Sequence, residues 1–344
     1  MKPNELIAKI ENGELDKSFK KIYVSDSAVE EQKPRYIRTI KEFINLFGDD
    51  RDVFVLSAPG RTEVCGNHTD HNNGKVLAAS INLDAIAIAA KRDDMKINEK
   101  SEGHGLNEVD ISTLSPDEAE YGRSSSMIKG VAAGLKEKGY EIGGFDACTT
   151  SDVMGGSGLS SSAAFEVLIA TVINHLYNDG KIDAVTVAKA AQFSENVYFG
   201  KPSGLLDQMA SSVGTFVTID FKDTANPVIK KVDFDFAKSG YSLCIVDTHG
   251  NHSDLTDDYA AVRGEMEAVA KAMGKNVLRE VEYEEFFQSL DVLKEKVNDR
   301  ALLRAFHFFG ENERVDKAVS SLENNDFDSF KQAITESGYS SFLY

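Results

Sequence analysis

A chain of 344 residues, 42 % hydrophobic and 27 % charged, has the composition of an ordinary globular protein and the length for one large or two medium domains. Its formal net charge of −18 argues against a general nucleic-acid or anionic-membrane surface, since both need a basic footprint. No apolar run reaches the length of a membrane span and the start Met1-Lys2-Pro3-Asn4-Glu5 is polar rather than signal-like, so a cytoplasmic protein is expected.

Apolar spacing predicts helices over 4–12 and 34–47, and the run 53–58 predicts a strand ending in a turn at Pro59-Gly60. A β-like run covers 84–90, a helix 126–138 and a strand 144–150. The helix predicted over 159–177 is apolar on most sides and therefore belongs in a core. A helix over 184–198 leads through Gly200-Lys201-Pro202-Ser203-Gly204 into a short one at 205–213. Strands are predicted at 214–221, 228–234 and 241–248, and helices at 255–273, 299–321 and 326–335. Mixing without strict alternation indicates an α+β protein with helices over one face of a mixed sheet and a domain boundary near residue 237. Three cysteines, Cys65, Cys148 and Cys244, lack metal-ligand spacing and are expected as reduced thiols.

The stretch from Ser151 to Ala164 carries the strongest chemical signal. Its glycines, Gly155, Gly156 and Gly158, allow close backbone approach to a ligand, and Ser157, Ser160, Ser161 and Ser162 add hydroxyls at the start of a helix, where anions are attracted. No Lys follows the glycines as in a Walker loop, and the G-x-G-x-x-G and G-x-S-x-G patterns are both incomplete. A nucleotide held by so acidic a protein needs positive groups concentrated at the site or Mg²⁺.

Three further constellations stand out. Pro59-Gly60-Arg61 through Asn67, His68 and Asp70 places mixed donors and acceptors after a strand, equipment for gripping sugar hydroxyls. Read as metal ligands, His68, Asp70 and His71 instead indicate a metal-dependent hydrolase. Glu195 and, twelve residues on, Asp207 could supply a Mg²⁺ ligand and a group that orients or deprotonates an acceptor hydroxyl. Finally, the polar loop Thr248 to Asp258 leads to Tyr259, with Arg263 one turn later.

In this order the motifs resemble the galactokinase branch of the GHMP kinases over about residues 40 to 310. The resemblance implies a two-domain GHMP kinase fold, with a ribosomal-protein-S5-domain-2-like N-terminal domain over 1–236 and a ferredoxin-like, incomplete C-terminal domain over 237–344. ATP would lie along Gly155, Gly156, Ser157, Gly158, Leu159, Ser160 and Ser161, with Mg²⁺ held by Ser162 and Glu195. Asp207 would act on the anomeric hydroxyl of the sugar, Arg61 would stand beside it, and Glu63, Asn67, His68, Asp70, Gly204 and Tyr259 would contact the sugar in a cleft between domains. The implied partners are a small-molecule sugar and ATP, with no nucleic acid, no membrane and a monomeric state.

Several positions depart from that pattern. The family usually has Asn at Glu63 and Glu at Asn67, so the two are expected to contact each other and to offer the sugar an amide in place of a carboxylate. His71 replaces the usual Tyr and Met154 the usual Pro. The family's third glycine-rich motif has no counterpart before Ser340-Ser341-Phe342-Leu343-Tyr344, and a longer version is expected to be more stable and more active. The Asn67 change keeps N-acetylgalactosamine, galacturonate and arabinose open as substrates beside galactose. A sensor that binds sugar and ATP without turnover is the alternative from another class.

Overall fold

The apolar run at 84–90 belongs to a much longer strand, and that strand organises both halves of the chain. The computed structural model describes residues 1–246 and 256–344, the side chains of 256–259 excepted. The chain forms two compact units, one of Met1–Arg61 with Ser80–Val213 and one of Thr62–Ala79 with Gly214–Tyr344. These units differ from a single cut near residue 237, because the segment Thr62–Ala79 groups with the C-terminal half.

In the first unit, three helices come first: α1 (Pro3–Glu11), α2 (Asp16–Tyr23) and α3 (Asp26–Phe47). α3 begins eight residues before the expected 34, capped by the Ser25 hydroxyl accepting from the Ala28 N–H at 3.2 Å, and carries Pro34 inside it. Burial of Val29, Tyr36, Ile40 and Phe43 along one face offsets the donor that Pro34 removes.

β1 (Phe54–Cys65) does not turn at Pro59-Gly60 but continues, and β2 (Lys75–Lys91) lies beside it. A Cβ on Gly60 would stand 2.8 Å from the Leu159 carbonyl, so this residue type lets the strand pass hard against the glycine-rich loop. β3 (Lys96–Ser101), β4 (Leu106–Asp110) and, after α4 (Ser124–Glu137), β5 (Phe145–Ser151) complete the sheet of this unit in the order β4-β3-β5-β2. β5 runs antiparallel to β2, with Ala87 opposite Thr149, and parallel to β3. The short polar strands β3 and β4 have weak alternation and escape periodicity.

From Ala85 to Ala90 β2 reads as a continuous apolar run because both of its faces are covered there. Ala85, Ala87 and Ala89 pack toward Val131, Leu168 and Val187 in one core, whereas Ile86, Ile88 and Ala90 pack toward Ile10, Tyr36 and Phe43 in another. Helices therefore flank this part of the sheet on two sides, not one. α5 (Ser161–Tyr177), α6 (Ala184–Phe193) and α7 (Leu206–Val213) follow, with the π-helical segment Ser194–Phe199 extending α6 where a regular helix to 198 is expected.

In the second unit, residues Lys75–Ala79 of β2 pair antiparallel with β6 (Phe216–Asp220), which pairs in turn with β7 (Val228–Val232). α8 (Thr256–Ala272), the short α9 (Tyr283–Gln288) and α10 (Leu290–Leu293), α11 (Asp299–Glu323) and α12 (Phe327–Leu343) complete it. Leu77, Phe216, Val315, Leu322 and Phe330 form one core here, and Met266, Phe286, Leu302 and Phe308 another. Residues 241–246 form no strand, and 247–248 of that expected strand lie outside the described residues. Among the described residues no helix is long and apolar enough to cross a membrane. Cys65 and Cys148 are buried thiols and Cys244 an exposed one.

Candidate active site

The glycine-rich loop leaves β5 at an anchored point. Asp152 donates its N–H to the Asp84 carbonyl at 2.9 Å, and the buried Arg35 guanidinium binds Asp84 at 2.7 Å, Asp152 at 3.1 Å and the Thr150 carbonyl at 3.1 Å. Charge-assisted bonds in a buried setting hold their geometry, so the loop begins from a fixed point. Beyond it Met154, Gly155, Gly156 and Gly158 are exposed, with Ser157 donating to the Met154 carbonyl at 2.6 Å. A cavity of about 400 Å³ adjoins the loop, lined among others by Ser101, Glu102, His104, Met154, Gly155 and Ser161.

The far end of the loop is tied to Arg61. Leu159 is buried and its carbonyl accepts the Arg61 N–H at 3.0 Å, while the Arg61 guanidinium donates to the Gly158 carbonyl. α5 begins at Ser161 rather than Leu159, because Ser160 sits in a left-handed conformation at its N-terminus. The Ser160 hydroxyl caps nothing in the helix and donates to Asp207 Oδ2. The first N–H groups of a long buried helix thus stay open, and its dipole favours an anion there.

Asp207, in the first turn of α7, meets Arg61 through two parallel bonds: Nε to Oδ1 at 2.6 Å and a terminal nitrogen to Oδ2 at 2.8 Å. A fork-on-fork pair fixes the carboxylate in orientation as well as position. Residues 146 positions apart are joined here, and the Asp207 side chain remains one-third exposed. Gly204, just before α7, is exposed.

Glu195 lies in the π-helical segment, 2 % exposed. Its Oε1 accepts from Ser162 at 3.2 Å and from Lys201 at 2.9 Å, and its Oε2 from Gln208 at 2.7 Å. The expected pair Ser162 and Glu195 is therefore brought together. Periodicity gave no hint of a third carboxyl, Glu166 of α5, which is fully buried and accepts from the same Gln208 amide at 3.2 Å. Burial, reinforced by Glu195, pushes the Glu166 carboxyl up to about 9. Its Oε1 and Gln208 Oε1 have no hydrogen-bond partner among the described residues. A charged residue inside an otherwise apolar helix was the available signal.

Glu166 makes the stability of the fold depend on pH. Its folded pKa is raised, so its stabilising contribution is complete below its ordinary value of 4.5 and is lost as pH rises toward about 9. Glu166→Gln keeps the shape and is neutral throughout. Thermal unfolding from pH 5 to 9 should show the wild type losing stability relative to this variant as pH rises; parallel profiles would refute the raised pKa.

The second unit holds the other expected group. Glu63 is exposed on β1, and the turn after it is closed by the Thr69 hydroxyl donating to the Gly66 and Lys75 carbonyls at 2.9 and 2.6 Å. The fully buried Glu311 accepts from the Gly66 N–H at 2.9 Å and from Ser337 at 2.8 Å. Burial opposes its charge, but Arg314 and the Gly66 N–H together hold its carboxyl below the ordinary value. His307 binds the Asn67 carbonyl at 2.9 Å, and the Asn67 amide donates to Ser341 at 3.1 Å. Asp70 caps its own turn by accepting from the His71 N–H at 3.0 Å, and burial keeps the His68 imidazole below its usual pKa. Among the described residues no group of three or more His, Cys, Asp and Glu is placed to hold a metal ion. Tyr259's side chain and the loop 247–255 lie outside the described residues.

The chain is similar to known proteins in sequence and fold. The galactokinase galactose-binding signature matches residues 41–91 and the GHMP kinases N terminal domain residues 126–215. A galactokinase of Streptomyces coelicolor is 34 % identical over 288 residues, 83 % of this chain and 73 % of its own. One from Clostridium tetani is 33 % identical over 310 residues, 87 % of this chain and 76 % of its own. The crystal structure of Lactococcus lactis galactokinase complexed with galactose superposes with a TM-score of 0.70 at 27 % identity, covering 87 % of this chain and 77 % of that one. A heptose 1-phosphate kinase from Bacteriodes thetaiotaomicron, with a TM-score of 0.54 at 16 % identity, shares the fold. With the galactose-binding signature over residues 41–91 and galactokinases 33–34 % identical to it over most of its length, the chain belongs to the galactokinase family, within the GHMP kinases.

Proposed function

We propose that this chain transfers the terminal phosphoryl group of ATP to the anomeric hydroxyl of galactose, giving galactose 1-phosphate. The observation that carries it is the Arg61–Asp207 pair closed onto the end of the glycine-rich loop in a member of the galactokinase family. Asp207 orients the anomeric hydroxyl and takes its proton as the bond to phosphorus forms. Arg61 holds that carboxylate in place and presents positive charge at the loop end where the transferring group develops negative charge. A loose transition state asks for positioning and charge stabilisation more than for a strong base, and both residues supply them.

The loop from Gly155 to Ser161 cradles the phosphates through its backbone and the open N–H groups of α5. Ser162 and Glu195 offer hard oxygen donors 3.2 Å apart, a set that fits Mg²⁺ when substrate phosphates complete its shell. Bound there, the ion supplies charge neutralisation between the phosphates. Glu63, Asn67, His68, Asp70, Gly204 and Tyr259 read the sugar. We also propose a cytoplasmic protein, monomeric as light scattering on the purified chain would check, with an N-terminal sugar- and ATP-binding domain over 1–236 and a C-terminal domain over 237–344.

ADP release measured with galactose, N-acetylgalactosamine, galacturonate and arabinose tests the reading. Galactose should give the highest kcat/KM. Turnover only with another member of the panel would transfer the proposal to that sugar, and binding of sugar and ATP without ADP formation would favour a sensor.

A further inference from the structure

Glu195 is buried and its partner Lys201 is not. The glutamate side chain is 3 % exposed and the lysine side chain 60 %, yet the ammonium sits 2.9 Å from Oε1, the same oxygen that accepts from Ser162. The other oxygen is occupied by Gln208. The backbone of Lys201 is fixed by its N–H on the Glu195 carbonyl at 3.1 Å, between Gly200 in a left-handed turn and Pro202. Only the four-carbon stem is free to move, and a rotamer change carries the charge into water.

Taking the reading of Ser162 and Glu195 as metal ligands, we infer that Lys201 is the resident cation of Glu195 and competes with the divalent ion for Oε1. A buried carboxylate without a counter-charge is costly, and Lys201 supplies that charge until the metal does. Ammonium and divalent ion cannot share one oxygen without strong like-charge repulsion, so metal entry requires Lys201 to swing away. Two protein donors are too few to hold Mg²⁺ alone, and the competing lysine weakens them further. The ion therefore enters with the nucleotide rather than ahead of it.

Mn²⁺ binding by the whole chain, followed by electron paramagnetic resonance with a non-hydrolysable ATP analogue present, tests the competition. Lys201→Met should bind Mn²⁺ about two- to fivefold more tightly than the wild type, the range set by removing one partly exposed ion pair. Lys201→Arg, which keeps the charge, should stay near the wild type, and Glu195→Gln should bind more weakly. Unchanged or weaker Mn²⁺ binding by Lys201→Met, with Glu195→Gln weakened, overturns the competition and leaves Glu195 a ligand. Glu195→Gln binding as tightly as the wild type overturns both. Lys201→Arg should unfold at the wild-type temperature and Lys201→Met, which leaves Glu195 without its counter-charge, a few degrees below it with an unchanged circular dichroism spectrum, so tighter Mn²⁺ binding by Lys201→Met reads lost competition in a folded chain.

Discussion

Asp207→Asn is expected to lower single-turnover phosphoryl transfer by about a thousandfold or more, the scale of removing a positioned proton acceptor. Asn keeps the size of the side chain and can still accept one bond from Arg61, so the fold of the loop end is retained. What disappears is the charge that fixes the Arg61 fork and that, in the proposed role, draws the anomeric proton. Affinity for ATP should change by no more than about threefold, since the proposed role places Asp207 on the acceptor rather than on the phosphates. Arg61→Lys should show a large part of the same loss, because an ammonium cannot bind both carboxylate oxygens while also reaching the Gly158 carbonyl. Turnover near the wild-type value in Asp207→Asn would refute the assignment. Tighter or looser ATP binding with unchanged phosphoryl transfer would relocate Asp207 to the nucleotide side.

The largest effect on stability is expected at Gly66. Its φ is +100°, and a Cβ there would stand 2.5 Å from the Lys75 carbonyl oxygen and 2.7 Å from the Val76 Cα. Both obstacles are backbone of β2, which is pinned by β6. Relief would have to come from the turn itself, and that would break the bond from the Gly66 N–H to Glu311 and leave a buried carboxylate short of a donor. Gly66→Ala should therefore cost about 3–5 kcal/mol in urea unfolding. Gly103 provides the control: its φ is +79°, but a Cβ there meets nothing within 4 Å. Gly103→Ala should cost only about 1–2 kcal/mol, the strain of the left-handed backbone alone. Equal losses at the two positions would mean that the close approach to β2 has no energetic weight.

Much of the site was legible because its parts are local. A glycine-rich run before an apolar helix, a polar cluster from Arg61 to Asp70 after a strand-like run, and two acids twelve residues apart are patterns within a few turns of chain. The structure brings Ser162 to Glu195 and Arg61 to Asp207, as the resemblance implied. The long helices were legible for the same reason, since α8, α11 and α12 carry a 3.6-residue repeat. The strand at 241–246 failed although its apolar run is as good as that at 228–232, because a strand exists only where a neighbour completes its hydrogen bonds. Helix ends failed where tertiary partners took the capping group. Ser160 stands just before α5, but its hydroxyl goes to Asp207 rather than to a helix N–H, and the helix starts at Ser161, two residues after the expected Leu159.

By itself the sequence determined the chemistry: which groups are present, in what order, and on which kind of local element. Only the tertiary structure decided the state of those groups, because protonation and pairing depend on neighbours remote in sequence. Glu166 is one helical residue among many until packing buries it beside Glu195 and pushes its carboxyl up to about 9. Lys201 is one loop residue until its ammonium reaches the oxygen that Ser162 also touches. The two-sided burial of β2 is of the same kind. An unbroken apolar run is compatible with a buried helix or a buried strand, and the pairing with β5 and β6, dictated by long-range contacts, makes it the strand from which Arg61 and the loop are hung.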